Sequence, residues 1–388
     1  MNVLIVDDNP TNVMLVREIL RKAGYTGIST ASSAREMYRI LGMEEPTGPL
    51  AVPEIDIILL DMMMPEIDGL EACRTVQQYA ELKDIPIIMV TAVGDSHLLA
   101  QALDAGAVDY VTKPINKIEL MARIRVALRL KQEKDWHKER DRLIREELRL
   151  AGKVQSSVLT EPYQDERINI HALYQPSDEL AGDLYAWFPL GEGRYGIIII
   201  DMMGHGVSSA LLCMFIASVL RDTVVQKKEP DELLRLLNTK FNQLHMNGNL
   251  MLYYMTALYA IVDTRAHTIH YANAGHPPGI VHMEDGSIVT LDSTGYPVGM
   301  FSELDIEARI ISMTPNAKMV LFTDGLLESC SEDIDEAKDY IVHLLQSEQS
   351  LAAPAWKELF KIADEETRED DKCIIWIDMN STADSNGE

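Results

Sequence analysis

Three aspartates, Asp7, Asp8 and Asp61, sit in one kind of local context. The run VLIV leads into Asp7–Asp8, and IDIILL leads into Asp61. Open α/β sheets gather their ligand-binding groups at the carboxyl ends of parallel strands. Thr91 after IIMV and Lys113 after DYVT follow the same pattern and complete a ring of five polar residues. Three neighbouring carboxylates repel one another unless a cation lies among them, and hard oxygen donors suit Mg²⁺. With that cation and a lysine offsetting its charge, Asp61 can attack a phosphoryl donor and become an acyl phosphate.

A second set of acidic residues lies in the C-terminal half: AGDLY with Asp183, DMMGHG with Asp201, FTDGLLE with Asp324 and REDDKC with Asp370 and Asp371. The Gly204–His205–Gly206 turn lets backbone carbonyls approach an ion. Carboxylates, carbonyls and water select Mn²⁺ or Mg²⁺ over zinc. Two such ions about 3.5–4 Å apart can hold a hydroxide in line with a phosphomonoester, so no cysteine nucleophile is required. Cys73, Cys213, Cys330 and Cys373 lack any zinc spacing. Cys213 and Cys373 read as core thiols, and His205 and His276 as local hydrogen-bonding residues in Gly-rich turns. Trp187 and Phe188, with the strings Met62–Met64 and Met202–Met203, read as packing.

Short apolar strands alternating with helical patterns must position the first set. Val3–Val6, Gly27–Thr30, Ile55–Leu60, Ile85–Val90 and Asp109–Thr112 predict a doubly wound, five-stranded parallel sheet up to about residue 128. Met43–Glu54, rich in proline, predicts an enlarged loop. From Lys117 to Lys153 the chain has no proline and many basic residues, which predicts one long helix or two abutting ones. Trp136, Leu143 and Leu150 recur every seven residues, whereas Arg140 and Glu147 interrupt the seam. A short coiled coil pairing two chains and a solvated linker helix are both open.

Farther on, Tyr195–Ile200, Thr256–Val262, Ile269–Ala272, Gly279–His282, Lys318–Phe322 and Cys373–Ile377 read as strands. They enclose helices over Ser208–Val225 and Pro230–Leu244. This predicts an α+β or layered α/β/α domain with largely antiparallel sheets.

VDD, LLDMMMPEIDG, VTA and YVTKP resemble the response-regulator receiver family over residues 1–128, a flavodoxin-like fold. The resemblance implies Asp61 as phosphoacceptor, with Asp7, Asp8 and the Met63 carbonyl around Mg²⁺. It also implies Lys113 on the phosphoryl group, Thr91 with Tyr110 as switch, and a sensor histidine kinase as phosphate source. Pro114 after Lys113 suits a cis turn.

The acidic clusters of the C-terminal half, with KVQSSVLTEP, NAGHPP and GYPVG, resemble the SpoIIE-like branch of metal-dependent type 2C serine/threonine phosphatases over about residues 150–378. An α/β/β/α sandwich is implied, with Asp183, Asp201, the Met202 carbonyl, Asp324 and Asp370 around two Mn²⁺ or Mg²⁺ ions, and Asp371 set aside. Family substrates are often serine- or threonine-phosphorylated anti-sigma-factor antagonists in partner-switching pathways. The family's usual threonine is Cys373 here, Ala181 replaces a glycine, and residues 332–369 lack the expected Phe-Gly segment.

The expected order is therefore a receiver (1–128), a helical linker (129–153) that pairs a homodimer, a phosphatase (154–378) and a disordered tail (379–388). Phosphorylation of Asp61 would control the phosphatase. A non-catalytic module that sequesters a signalling partner is the alternative.

Composition agrees with folded domains: 47% hydrophobic and 25% charged residues exclude general disorder. A formal charge of −26 argues against nucleic acid and anionic membranes as partners. The opening MNVLIVDDNP has no basic leader, and a cytoplasmic protein is expected.

Overall fold

The computed structural model describes residues 1–43, 54–92, 96–224, 228–244, 253–330, 334–346 and 370–380. Most of the loop expected over Met43–Glu54, most of the polar tail and most of residues 332–369 lie outside the described residues. The chain divides into two units, Met1–Leu143 and Ile144–Glu388.

In the first unit the order is β1 (Asn2–Val6), α1 (Pro10–Lys22), β2 (Gly27–Ala31), α2 (Ala34–Ile40), β3 (Ile57–Asp61), α3 (Gly69–Gln77), β4 (Ile87–Ala92), α4 (Ser96–Asp104), β5 (Asp109–Lys113) and α5 (Lys117–Ser156). The strands pair in the order β2-β1-β3-β4-β5, all parallel. Each central strand is apolar throughout because both faces are covered. Val3, Ile5, Leu59 and Val90 pack with α1 and α5, while Leu4, Val6, Leu60 and Met89 pack with α2, α3 and α4. A fully buried side chain of this kind stabilises by about 1.5–3 kcal/mol. Helix starts are fixed by side-chain oxygens: Asn9 caps α1 ahead of Pro10, Ser33 caps α2 and Asp68 caps α3. The Lys113–Pro114 peptide is cis.

Helix α5 runs for 40 residues and so enters the second unit. Beyond Leu128 its surface is largely exposed, including Trp136, Leu143 and Leu150.

The second unit continues with β6 (Tyr163–Gln164), β7 (Ile168–Gln175), β8 (Asp183–Gly191), β9 (Arg194–Met202), α6 (Val207–Val224), α7 (Pro230–Asn242), β10 (Met255–Asp263), β11 (Thr268–Ala274), β12 (Gly279–His282), β13 (Ile288–Leu291), β14 (Arg309–Ser312), β15 (Lys318–Phe322), α8 (Asp324–Cys330), α9 (Ile334–Gln346) and β16 (Lys372–Met379). Two antiparallel sheets form, β14-β11-β10-β9-β8 and β13-β12-β15-β16-β7-β6. Their inner faces share one core containing Trp187, Ile197, Ile199, Leu258, Leu321 and Ile375. Alternate residues such as Ile198, Ile200 and Tyr259 pack outward against α6 and α7. On the other side Val320, Phe322, Ile374 and Trp376 pack against α8 and α9. The layers are therefore α/β/β/α, a helix layer outside each sheet.

The methionine strings correct one expectation. Met62, Met64 and Met202 are buried, but Met63 is 68% exposed and Met203 43% exposed. Both strings lie where a strand runs out into a loop, and the alternating side-chain direction turns one residue of each string to solvent.

Candidate active site and phosphoacceptor site

At the carboxyl ends of β1 and β3, Asp7, Asp8 and Asp61 place carboxylate oxygens within 4.8 Å of one another. Lys113, ending β5, lies 2.9 Å from Asp61 Oδ1 and 3.1 Å from Asp7 Oδ2 through its Nζ. Asp7 is fixed further by the Asn9 N–H and the Asn12 amide, at 2.8 and 3.1 Å. Burial raises the Asp61 carboxyl above its ordinary value, and the nearby Asp7 charge adds to this against the pull of Lys113 and the Met63 N–H. Burial alone would lower Lys113, but its bonds to Asp61 and Asp7 hold it above the usual range. Thr91 is buried on β4 with its hydroxyl 3.0 Å from the Ala92 carbonyl. Tyr110 is half-buried, with the Arg123 guanidinium 5.1 Å from its ring centre. Arg123 is itself held by Asp109 and Glu119.

In the second unit, carboxylates from both sheets lie at one end of the sandwich, near enough to raise one another's pKa, although among the described residues only Asp7, Asp8 and Asp61 bring three ligand atoms within 4.8 Å of one another. The β8–β9 register sets Asp183 opposite Asp201. Asp324 opens α8 just past β15, and Asp370–Asp371 lead into β16, the neighbour of β15. Thr323 joins these last two segments, its N–H bonding the Cys373 carbonyl at 3.1 Å and its hydroxyl accepting from Cys373 N–H at 3.0 Å.

The five carboxylates are not held alike. Asp371 accepts from Ser177 N–H and Oγ at 2.7 and 2.9 Å and from Gly182 N–H at 2.7 Å. Both its oxygens are thereby occupied in tying β7, β8 and β16 together. Asp183 is 2% exposed, and its Oδ2 is buried without a hydrogen-bond partner. Burial first, then the charges of Asp201 and Asp371, push the Asp183 carboxyl well up. Asp201 rises to about 8 from burial and from Asp324, Asp370 and Asp371, and Asp324 rises from burial and the charge of Asp370. Carboxylates that raise one another and leave a buried oxygen unpartnered suit cations among them.

Two glycines permit this closeness. A Cβ on Gly325 would lie 2.2 Å from the Asp371 carbonyl oxygen, and one on Gly182 would lie 3.1 Å from the Met202 and Gly204 carbonyls. His205 is exposed beside the carboxylates' loop. His276 is buried, its Nδ1 2.8 Å from Thr256 Oγ1, and burial lowers its pKa to about 3. Cys213 and Cys373 are buried, and burial pushes both thiols up.

The sequence reading gave no role to Gln155, which lies within KVQSSVLTEP, or to Ser177. Gln155, near the end of α5, is 4% exposed, donates to the Ala181 carbonyl at 2.6 Å and accepts from its N–H at 3.1 Å. A glutamine in a polar helix carries no local signal for this, because its partner lies 26 residues away. Among the described residues no helix is long and apolar enough to cross a membrane.

Residues 3–125 match the family model "Response regulator receiver domain", and residues 191–380 match "Stage II sporulation protein E (SpoIIE)". Phosphoserine phosphatase RsbP of Bacillus subtilis (strain 168) is 34% identical over 238 residues, 60% of this chain and 58% of that protein. Transcriptional regulatory protein YvrH of the same organism is 37% identical over 128 residues, 33% of this chain and 49% of that protein. Phosphoserine phosphatase RsbU, also from B. subtilis, is 27% identical over 240 residues, 60% and 70% of the two chains. The chain thus spans about half the length of the first two relatives. The solved SiaA-PP2C domain of Pseudomonas aeruginosa shares the fold, with TM-score 0.51 and 20% identity over 61% of this chain and 98% of that one. The fold and the matches define a chain of two modules. Its N-terminal domain is a response-regulator receiver, and its C-terminal domain is a PP2C-like phosphatase domain of the SpoIIE type.

Proposed function

We propose that this chain is a two-component response regulator whose output is a metal-dependent phosphoserine/phosphothreonine protein phosphatase. The observation that carries the reading is the set of carboxylates drawn from two sheets, with Asp183 Oδ2 buried and unpartnered among them. Likeness to the phosphoserine phosphatases RsbP and RsbU supports the same reaction class.

The proposed organisation is receiver 1–128, helical linker 129–153 and phosphatase 154–378. Asp183, Asp201, Asp324 and Asp370, with the Met202 carbonyl, would hold two Mn²⁺ or Mg²⁺ ions. Asp371 spends both oxygens on three hydrogen bonds to distant groups, whereas Asp370 accepts one from the adjacent Asp371 N–H at 2.8 Å, which favours Asp370 as the ligand of the pair. Asp7, Asp8, Asp61 and the Met63 carbonyl would hold Mg²⁺. Bound there, the ions would supply Lewis-acid activation of water in one site and charge neutralisation in the other. Asp61 would take phosphate from a sensor histidine kinase, Lys113 pairing with it and Thr91 and Tyr110 registering the change. An anti-sigma-factor antagonist in a partner-switching pathway, in the cytoplasm, is the proposed substrate, and a homodimer through α5 the proposed assembly.

Asp201→Asn or Asp324→Asn is expected to cut Mn²⁺-dependent release of phosphate from a phosphoserine protein by at least 100-fold. Both variants should still accept phosphate on Asp61 from a small donor, because the acceptor lies in the other unit. Full turnover in either variant would sink the two-metal reading. Tight binding of phosphoprotein with no turnover in the unaltered chain would favour a sequestering module.

A further inference from the structure

Near the carboxylate end of the sheet β14-β11-β10-β9-β8, four apolar side chains are exposed that metal chemistry does not require. Met203 is 43% exposed, Tyr296 58%, Met300 43% and Phe301 49%. Backbone pairing runs without a break from the candidate ligands to this patch. Asp201 and Met202 on β9 pair with Thr256 and Met255 on β10, and Met255 exchanges both backbone hydrogen bonds with Val298 at 2.9 Å. Two strand spacings of about 4.8 Å therefore separate the backbone at Met202 from that at Val298. Met203 joins the same segment by donating to the Tyr254 carbonyl at 2.9 Å.

The patch is held stiffly. Tyr296 and Phe301 meet edge to face, with centroids 5.2 Å apart at 71°. Beneath them Asn238 on α7, 1% exposed, donates to the Phe301 and Ser302 carbonyls at 3.1 and 3.3 Å and accepts from Gly299 N–H at 2.8 Å. Asn242 adds a bond to the Phe301 carbonyl at 3.0 Å, and Arg235 bonds the Ile306 carbonyl. Val298, Leu304 and Ile306 anchor the loop in the core below α7. A buried polar brace that fixes exposed rings in one arrangement lowers the ordering cost of binding. Rigid aromatic side chains are the type that dominate recognition energy at interfaces.

We propose that this patch docks the phosphorylated protein whose phosphoserine or phosphothreonine enters the carboxylate cluster. The proposal rests on the reading of that cluster as a phosphatase site, and it names the chemistry of the partner. The partner presents apolar residues beside its phosphorylated residue, with basic side chains facing Glu303, Asp305 and Glu307, which are exposed on the same loop. Those acids, with the overall charge of −26, disfavour an anionic lipid surface as occupant. Four half-exposed side chains offer on the order of a few hundred Å². That area suits a transient enzyme–substrate encounter and falls short of an obligate dimer interface.

The test uses the full chain, a serine-phosphorylated anti-sigma-factor antagonist and p-nitrophenyl phosphate. Tyr296→Ala combined with Phe301→Ala should leave Mn²⁺-dependent turnover of p-nitrophenyl phosphate within about twofold. It should lower kcat/KM for the phosphoprotein by about 10- to 100-fold, chiefly through KM. Met300→Lys, which leaves the ring pair intact, should act in the same direction. Binding of the phosphoprotein, measured by calorimetry in an Asp201→Asn background, should weaken by the same factor. That arm separates the two readings: loss of binding without any turnover in the unaltered chain would sink hydrolysis and leave docking standing. Equal losses on both substrates, unchanged kcat/KM and binding for the phosphoprotein, or a patch variant that instead dissociates a dimer would each overturn the proposal.

Discussion

His276 occupies a turn, NAGH, that looks exposed in the sequence, and the fold buries it. Its backbone N–H bonds Asn273 Oδ1 at 2.8 Å and its ring meets Thr256. Burial, with Nε2 left without a hydrogen-bond partner, lowers the folded pKa to about 3 from the ordinary 6.5. Between those values the unfolded chain takes up a proton that the folded chain refuses. This group therefore lowers stability as pH falls through the window, by about 1.4 kcal/mol per pH unit, and the effect levels off below the folded value. Urea titrations at pH 7, 6, 5 and 4 should show this slope in the unaltered chain and not in His276→Asn; identical slopes would refute it. The raised carboxyls of Asp183 and Asp201 act with the opposite sign, so the difference between the two proteins is the quantity to read. At this scale the sequence was most legible where chemistry is local. The turn aspartates and Lys113 announce themselves by type and strand-end position. Gln155 and the three bonds of Asp371 depend on partners 26 and at least 189 residues away, beyond any local pattern.

Among the elements, the strands of the first unit were found to within one or two residues, because apolar runs buried on both faces have sharp ends. β7 and β8 were not. Ile168–Gln175 carries His171 and Gln175, and Asp183–Gly191 carries Pro189, so neither reads as a clean alternation, although β7 pairs along its length and β8 pairs with β9 apart from an irregularity between Pro189 and Gly191. Pairing with β16 and β9 overrides weak local preference. Helix α5 was legible as helix, and its 40 residues reach about 60 Å. Trp136, Leu143 and Leu150 line one stripe of it, exposed by 58%, 49% and 64%. If the stripe is a pairing seam, Leu143→Asp with Leu150→Asp should weaken dimerisation by at least tenfold, because each change places a charge in an apolar contact. Sedimentation that finds a monomer at all concentrations, with or without phosphate on Asp61, would reduce the seam to a solvated face.

For the whole molecule, the question is whether the state of Asp61 reaches Asp183. α5 begins just after Lys113 and Pro114, and its far end holds Ala181, two residues from Asp183, through Gln155. A receiver that repacks α5 could thus bias the order of the carboxylate cluster. Coupling of ~1–3 kcal/mol gives about 5- to 150-fold control of turnover, with activation as the expected sign. Comparing turnover with and without beryllofluoride, in the unaltered chain and in Asp61→Ala, measures it directly. Equal rates in all four samples would leave the two domains joined by chain alone.

Trp136 gives such experiments an optical handle. Of the four tryptophans, Trp356 lies outside the described residues, Trp187 and Trp376 are 3% and 7% exposed, and Trp136 stands 58% exposed on α5 with the Arg140 guanidinium 5.4 Å from its ring centre. An indole in that position emits at longer wavelength than the buried pair and is open to collisional quenching by acrylamide. The difference spectrum between the unaltered chain and Trp136→Phe isolates it. A blue shift and loss of quenching on adding beryllofluoride would report the helix stripe becoming covered, as light, without any label on the protein.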